Sequence, residues 1–263
     1  MDLELRGKNV LVTGASKGIG LACARAFAAE GCNVHIAARS AAELEKNAAE
    51  IAAQYKVKVT PHACDLGVSD NLNALARACG DIDVLVNNAG AIPGGHLNDV
   101  DEQRWRTAWD LKVFGYINLS REIYAAMRTR GSGVIVNVIG VAGERNRPEY
   151  IAGTTGNAAL MAFTRALGAE SVDHGVRVVG INPGRIETER QLKHMQETAR
   201  KEFGDPARWT DVRARIVEGL PFKRAGKPEE VADLATFLAS ARAAYISATV
   251  ITIDAGQSLR ERK

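Results

Sequence analysis

Two apolar patterns alternate along the chain. Short β-branched runs recur at NVLVT (9–13), NVHIAA (33–38), VKVTPHA (57–63), DVLVNNAG (83–90), GVIVNVIG (133–140), VRVVGINPG (176–184) and TVITIDAG (249–256). Between most of them lie helix-length, alanine-rich segments such as GLACARAFAAEG and SAAELEKNAAEIAAQY. Strands apolar on both faces and separated by helices predict a parallel sheet covered on both sides, an α/β doubly wound fold of seven strands. No repeat, low-complexity tract or Pro/Gly/Ser-rich linker interrupts the alternation, so a single domain over 1–263 is expected.

One stretch departs from the pattern. Residues 185–227 carry eleven Lys/Arg against seven Asp/Glu and no strand signal, which predicts a helical insertion after the sixth strand. Ligands of open parallel sheets bind beyond the carboxyl ends of the strands, where this insertion begins. It reads as a substrate lid whose local net charge of +4 would suit an acidic substrate; the alternative is a solvated amphipathic helix pair.

Composition adds exclusions. At 46% hydrophobic and 25% charged residues over 263 positions, the chain is neither disordered, collagen-like nor a coiled coil. A net charge of +3 is too small to point to nucleic acid or a membrane surface. Cys23, Cys32, Cys64 and Cys79 form no CxxC pair and read as small apolar residues in a reducing compartment, with no metal site expected. No apolar run approaches the roughly 18 residues of a membrane span. With acidic residues where a signal peptide needs basic ones, a soluble cytoplasmic protein is expected.

The first strand leads into Thr13-Gly14-Ala15-Ser16-Lys17-Gly18-Ile19-Gly20 and then a helix. Glycines there permit a tight turn and close approach of backbone to a ligand. The first-turn N–H groups and the helix dipole offer positive charge to a pyrophosphate. Gly14, Ser16, Lys17, Gly18, Ile19 and Gly20 are therefore candidate cofactor ligands. At the end of the second strand, where NAD-binding sheets place an acid on the ribose, stands Arg39. Its planar fork and the Lys17 ammonium suit a 2′-phosphate, so NADP(H) is expected in preference to NAD(H). The alternative is that both are solvated surface cations.

With these segments in view, the chain resembles the short-chain dehydrogenase/reductase family over essentially its whole length. The resemblance rests on TGASKGIG (13–20), Asn87-Asn88-Ala89-Gly90, Asn182-Pro183-Gly184 with Ile186 and Thr188, RAGKPEEVA (224–232) and Asp254-Ala255-Gly256. It implies a Rossmann-type fold and nicotinamide binding. Asp65 and Leu66 would lie at the adenine, Asn88, Ala89 and Gly90 along the cofactor, and Pro183, Gly184, Ile186 and Thr188 near the nicotinamide. It also implies a small-molecule substrate and a homodimer or homotetramer, with helices around 101–130 and 150–170 packed between subunits.

The family's catalytic set is Ser, Tyr, Lys and Asn, and each position differs in this alignment. The serine pair falls on Ile139 and Gly140, Tyr on Gly153, Lys on Asn157, and Asn on Lys112. Tyr150, one helical turn before Gly153, would share its face and is the candidate acid/base. The Asn and Lys departures look reciprocal. Lys112 is accordingly expected to bring its ammonium to Tyr150 while Asn157 holds the ribose or a water. The alternatives are a packing role for Tyr150 and a solvent- or subunit-facing Lys112. Glu144, Arg145, Asn146 and Arg147 are weaker substrate-binding candidates; His96 and His194 are weaker still.

Three functions compete at this stage. The first is an NADP(H)-dependent oxidoreductase interconverting a hydroxyl and a carbonyl. The second is a cofactor sensor or regulatory protein without hydride transfer, and the third a non-redox reaction such as dehydration or C–C cleavage.

Overall fold

The computed structural model describes residues 1–260. Its strands are β1 (Asn9–Thr13), β2 (Asn33–Ala38), β3 (Val59–Ala63), β4 (Val84–Asn87), β5 (Gly133–Val138), β6 (Val176–Pro183) and β7 (Thr249–Ile253). The helices are α1 (Gly18–Ala29), α2 (Ala41–Tyr55), α3 (Ser69–Cys79), α4 (Glu102–Trp109), α5 (Gly115–Arg130), α6 (Ile151–Ser171), α7 (Glu189–Phe203), α8 (Trp209–Glu218) and α9 (Pro228–Ala239). All seven strands are parallel, in the order β3-β2-β1-β4-β5-β6-β7. This is the doubly wound sheet that the apolar runs predict.

Alternation along each central strand feeds two cores. Val10 and Val12, Val84 and Val86, and Val134 and Val136 pack with α1, α2 and α9 on one face. Leu11, Leu85 and Ile135, between them in sequence, pack with α3 and α5 on the other. β1 and β2 coincide with the runs that predict them, whereas β3 to β7 are shorter. NAG, IG, G and DAG at their carboxyl ends leave the ladder and become the loops above it. β3 is an edge strand, which is where Pro61, lacking an N–H, does no harm to the ladder.

The chain order reverses between β1 and β4, opening a crevice above their carboxyl ends. Residues 185–227 fold as α7, α8 and short 3-10 turns rather than strands, as their composition predicts. Thr188 caps α7, its Oγ1 accepting from the Gln191 N–H at 3.4 Å, so the helix begins at the mouth of that crevice.

Gly168 sets how closely α6 lies on the sheet. A Cβ there would meet Ala248 Cα at 2.7 Å and the Val178 carbonyl oxygen at 2.8 Å, both backbone and unable to turn aside. Gly168→Ala is expected to cost about 1–3 kcal/mol through overpacking, read as a lower urea midpoint at unchanged m.

Candidate active site

The phosphate turn has the expected construction. Gly14 and Gly18 hold φ of +65° and +58°, and a Cβ on Gly14 would press on Ala89 Cα at 2.9 Å. Helix α1 starts without a side-chain cap or an acidic residue in its first turn, which leaves its first N–H groups to receive an anion. Ser16 is held from below, its carbonyl accepting from Asn47 Nδ2 of α2 at 2.9 Å. Ile19 lies half-buried against the core. Lys17 pairs with Glu189 of α7 at 3.6 Å, linking the turn to that helix; both side chains are about half exposed, so the pair is weak. Arg39 stands exposed just past β2 and makes no ion pair among the described residues.

Opposite this turn, Asn88 joins β1 to β4. Its Nδ2 donates to the Thr13 carbonyl at 3.0 Å, while the N–H groups of Asn88 and Ala89 donate to Thr13 Oγ1 at 2.9 and 3.1 Å. Asp65 is exposed, its Oδ1 accepting from Gly67 N–H at 2.9 Å; Leu66 beside it is buried. Pro183 ends β6, and Gly184 N–H donates to the Ile253 carbonyl at 3.0 Å. The Ile186 side chain is packed into the core, so only its backbone can face a ligand.

Tyr150 reaches the cleft by an unexpected route. Rather than sharing a helix face with Gly153, it is the N-cap of α6, with φ −143° and ψ 40°. Its ring folds forward over Gly153, occupying the space a Cβ at that position would take. Glycine at 153 is therefore what makes room for the phenol. Tyr150 also packs against the cluster of Ile92, Ala108 and Ala152, so the packing and chemical readings of Tyr150 are compatible. Burial raises its pKa above the usual phenol value, while the guanidiniums of Arg190 and Arg147 pull it down.

Lys112 is buried, neither solvent-facing nor on the surface of this chain. It sits in a π-helical turn, Asp110–Phe114, between α4 and α5. Its Nζ donates to Tyr116 Oη at 2.9 Å and to the carbonyls of Val138 and Ile139 at 2.9 and 3.2 Å. The expected contact with Tyr150 is replaced by these three acceptors, because the π turn aims the side chain at the end of β5. Gly90 lies over its stem: a Cβ there would meet Lys112 Cδ at 2.6 Å. Desolvation, then Arg190, lowers its pKa to about 7. Asn157, also buried, donates to the Gly140 carbonyl at 3.3 Å.

Arg190 is the residue that motif reading passed over. It is exposed at the start of α7, and its Nη2 donates to the Gly90 carbonyl at 3.0 Å. Its field acts on Lys112, Tyr116 and Tyr150 alike, which makes it the charge shared by the whole centre. No local spacing marks it among the eleven cations of 185–227. Two of the weaker candidates brace neighbouring loops. Glu144 accepts from Asn182 Nδ2 and Thr252 Oγ1, each at 3.0 Å, and Arg145 donates to the Gln257 carbonyl at 3.1 Å. His96 and His194 are exposed.

An anion-ready helix start at a topological switch point defines a dinucleotide-binding α/β protein. Residues 8–199 match the family described as short chain dehydrogenase, and the chain belongs to that family. It is 35% identical to galactitol 2-dehydrogenase (L-tagatose-forming) of Cereibacter sphaeroides over 97% of both chains. It is 32% identical to galactitol 2-dehydrogenase of Agrobacterium fabrum over 97% of this chain and 98% of that one. Its fold superposes, at a TM-score of 0.93 and 30% identity, on L-sorbose reductase from Gluconobacter frateurii complexed with NADPH and L-sorbose, covering 99% of this chain and 100% of that one.

The depressed Lys112 pKa makes a stability prediction with a definite sign. Between pH of about 7 and the ordinary lysine value, the unfolded chain carries the proton and the folded chain does not, so stability rises with pH across that window. Lys112→Met should flatten this rise, seen in urea unfolding repeated across the window; an unchanged slope would show that Lys112 is not its source.

Proposed function

We propose that the chain is an NADP(H)-dependent oxidoreductase interconverting a carbonyl and a hydroxyl on a small polyhydroxylated substrate of the ketose–polyol class. The observation that carries the reading is Tyr150, folded over Gly153 beside Arg190 and across from the Asn88–Gly90 wall of the crevice. The galactitol dehydrogenases and the NADPH-bound sorbose reductase support both the reaction and the substrate class. The sensor and non-redox alternatives have no such support.

The residues present fit the cofactor. The uncapped start of α1 would receive the pyrophosphate, Gly18 would let backbone approach it closely, and Arg39 with Lys17 would hold the 2′-phosphate. Asp65 and Leu66 would hold the adenine side, and Asn88, Ala89, Gly184 and Thr188 would line the way to the reacting end. When bound, NADPH supplies the hydride delivered to the carbonyl carbon.

The chain's own task is the proton. A tyrosine raised by burial remains a phenol near neutrality, so Tyr150 Oη donates its proton to the oxygen on which negative charge grows. Arg190 and Arg147 then stabilise the phenolate left behind. The usual Ser, Tyr and Lys positions of the family hold Ile139 or Gly140, Gly153 and Asn157. We therefore read the centre as atypical, with its tyrosine relocated by one turn and its cation relocated to Arg190. Buried Lys112 and Asn157 act as positioning residues, fixing the carbonyls of Val138, Ile139 and Gly140 beneath the substrate. Residues 185–227 serve as the lid, and helices α4, α5 and α6 as the faces of a homo-oligomer.

Tyr150→Phe should lower kcat for ketose reduction by about 10²–10⁴-fold while NADPH affinity stays nearly unchanged. Arg39→Ala should weaken NADPH about 10–100-fold, the value of a charge-assisted phosphate contact, and leave NADH nearly untouched. Tight NADPH binding with no oxidation by any ketose would overturn the reductase reading in favour of the sensor.

A further inference from the structure

Away from the crevice, three nitrogen and sulfur donors converge between the sheet and α3. His35 stands on β2, His62 on β3, and Cys79 closes α3. His35 Nδ1 lies 2.9 Å from His62 Nε2, and Cys79 Sγ lies 3.6 Å from that same nitrogen. All three donor atoms fall within 4.8 Å of one another, and no other such group is found among the described residues. The imidazoles stack, with centroids 5.2 Å apart and planes at 17°.

Strand register explains the convergence. Thr60 lies beside His35 and His62 beside Ala37, so the two histidines share one face of the sheet as diagonal neighbours. Cys64, two residues beyond His62, continues the ladder through its N–H bond to the Ala38 carbonyl at 2.9 Å and shares that face. Burial raises the Cys79 thiol pKa, and Cys64 is near enough to add to that rise. The surroundings are apolar: Leu72, Leu75 and Ile82 belong to the same core.

We propose that His35, His62 and Cys79 form a structural site for zinc, with Cys64, whose thiol lies outside this 4.8 Å group, turning in to the fourth position. Zn–N and Zn–S bonds of about 2.0–2.1 and 2.3 Å imply tetrahedral N···N and N···S edges of roughly 3.4 and 3.6 Å. The cysteine edge already has that length, and the histidine pair needs to open by only a few tenths of an ångström. Two imidazoles and two thiolates are a donor set of the softness zinc takes in closed, four-coordinate sites. Each thiol gives one proton to solvent as its sulfur binds, and no electron is transferred. The ion would join the edge strand β3 to β2 and to the end of α3.

The test uses the full chain, stripped with chelator and titrated with Co²⁺ and then Zn²⁺. Expected are one equivalent of tetrahedral cobalt with thiolate-to-metal charge-transfer absorption, and its bleaching by one equivalent of Zn²⁺. Cys79→Ser and His62→Gln should each weaken cobalt binding by more than about tenfold. Far-UV circular dichroism and NADPH binding report whether each variant is folded. A six-coordinate cobalt spectrum without thiolate absorption in the wild-type chain overturns the proposal, and that reading stands even if both variants misfold. An unchanged thiolate band in the two folded variants overturns it equally.

Discussion

One hydroxyl holds the crevice in shape. Thr13 Oγ1 donates to the Val86 carbonyl at 3.3 Å and accepts from the N–H groups of Asn88 and Ala89. It is buried, so the N–H groups of Asn88 and Ala89 would be left unpaired without it, at a cost of about 1–3 kcal/mol for a group so orphaned. The strands it joins are β1 and β4, the pair at which the order of the sheet reverses. The phosphate turn leaves one of them and the Asn88–Gly90 wall leaves the other. The separation of turn and wall, and with it the width available to a dinucleotide, depends on this buried junction.

From the wall the constraint passes to the reacting centre through Gly90. Lys112 lies against one side of it and Arg190 binds its carbonyl from the other, so two cations meet at a residue without a side chain. Like charges at such range cannot both be held cheaply in a buried place. Burial first, and the field of Arg190 second, lower the Lys112 pKa to about 7. The field of Arg190 thus reaches both Lys112 and Tyr150, while the Lys112 nitrogen stays within hydrogen-bond reach of Tyr116 Oη on α5 and of the Val138 and Ile139 carbonyls at the end of β5.

The sheet, its order of strands and helices, and the phosphate turn were legible because each rests on local pattern. Alternating apolar positions such as Val10, Leu11 and Val12 point to both cores at once, and glycines at 14 and 18 announce their backbone. The catalytic side was less legible because it depends on features without a sequence period. A π turn re-aims Lys112, and a non-helical cap carries Tyr150 over Gly153, although spacing alone places tyrosine on the helix face. Arg190 acts from an insertion whose basic residues look alike in sequence. His35, His62 and Cys79 come from three separate elements, so a search for local metal spacing passes them by.

That distant cluster bears on the cofactor through the strands it would join. His35 lies four residues before Arg39 on β2, and His62 three before Asp65 on β3. These are the residues we assign to the 2′-phosphate and the adenine. β3 is an edge strand, hydrogen-bonded on one side only, with Pro61 in its middle and Ala63 exposed, so it is among the less constrained parts of the sheet. An ion bridging β2, β3 and α3 would limit the movement of Asp65 relative to Arg39. Less ordering would then remain to be done when the dinucleotide binds, and the gain would fall on affinity for the adenine half rather than on the proton transfer at Tyr150.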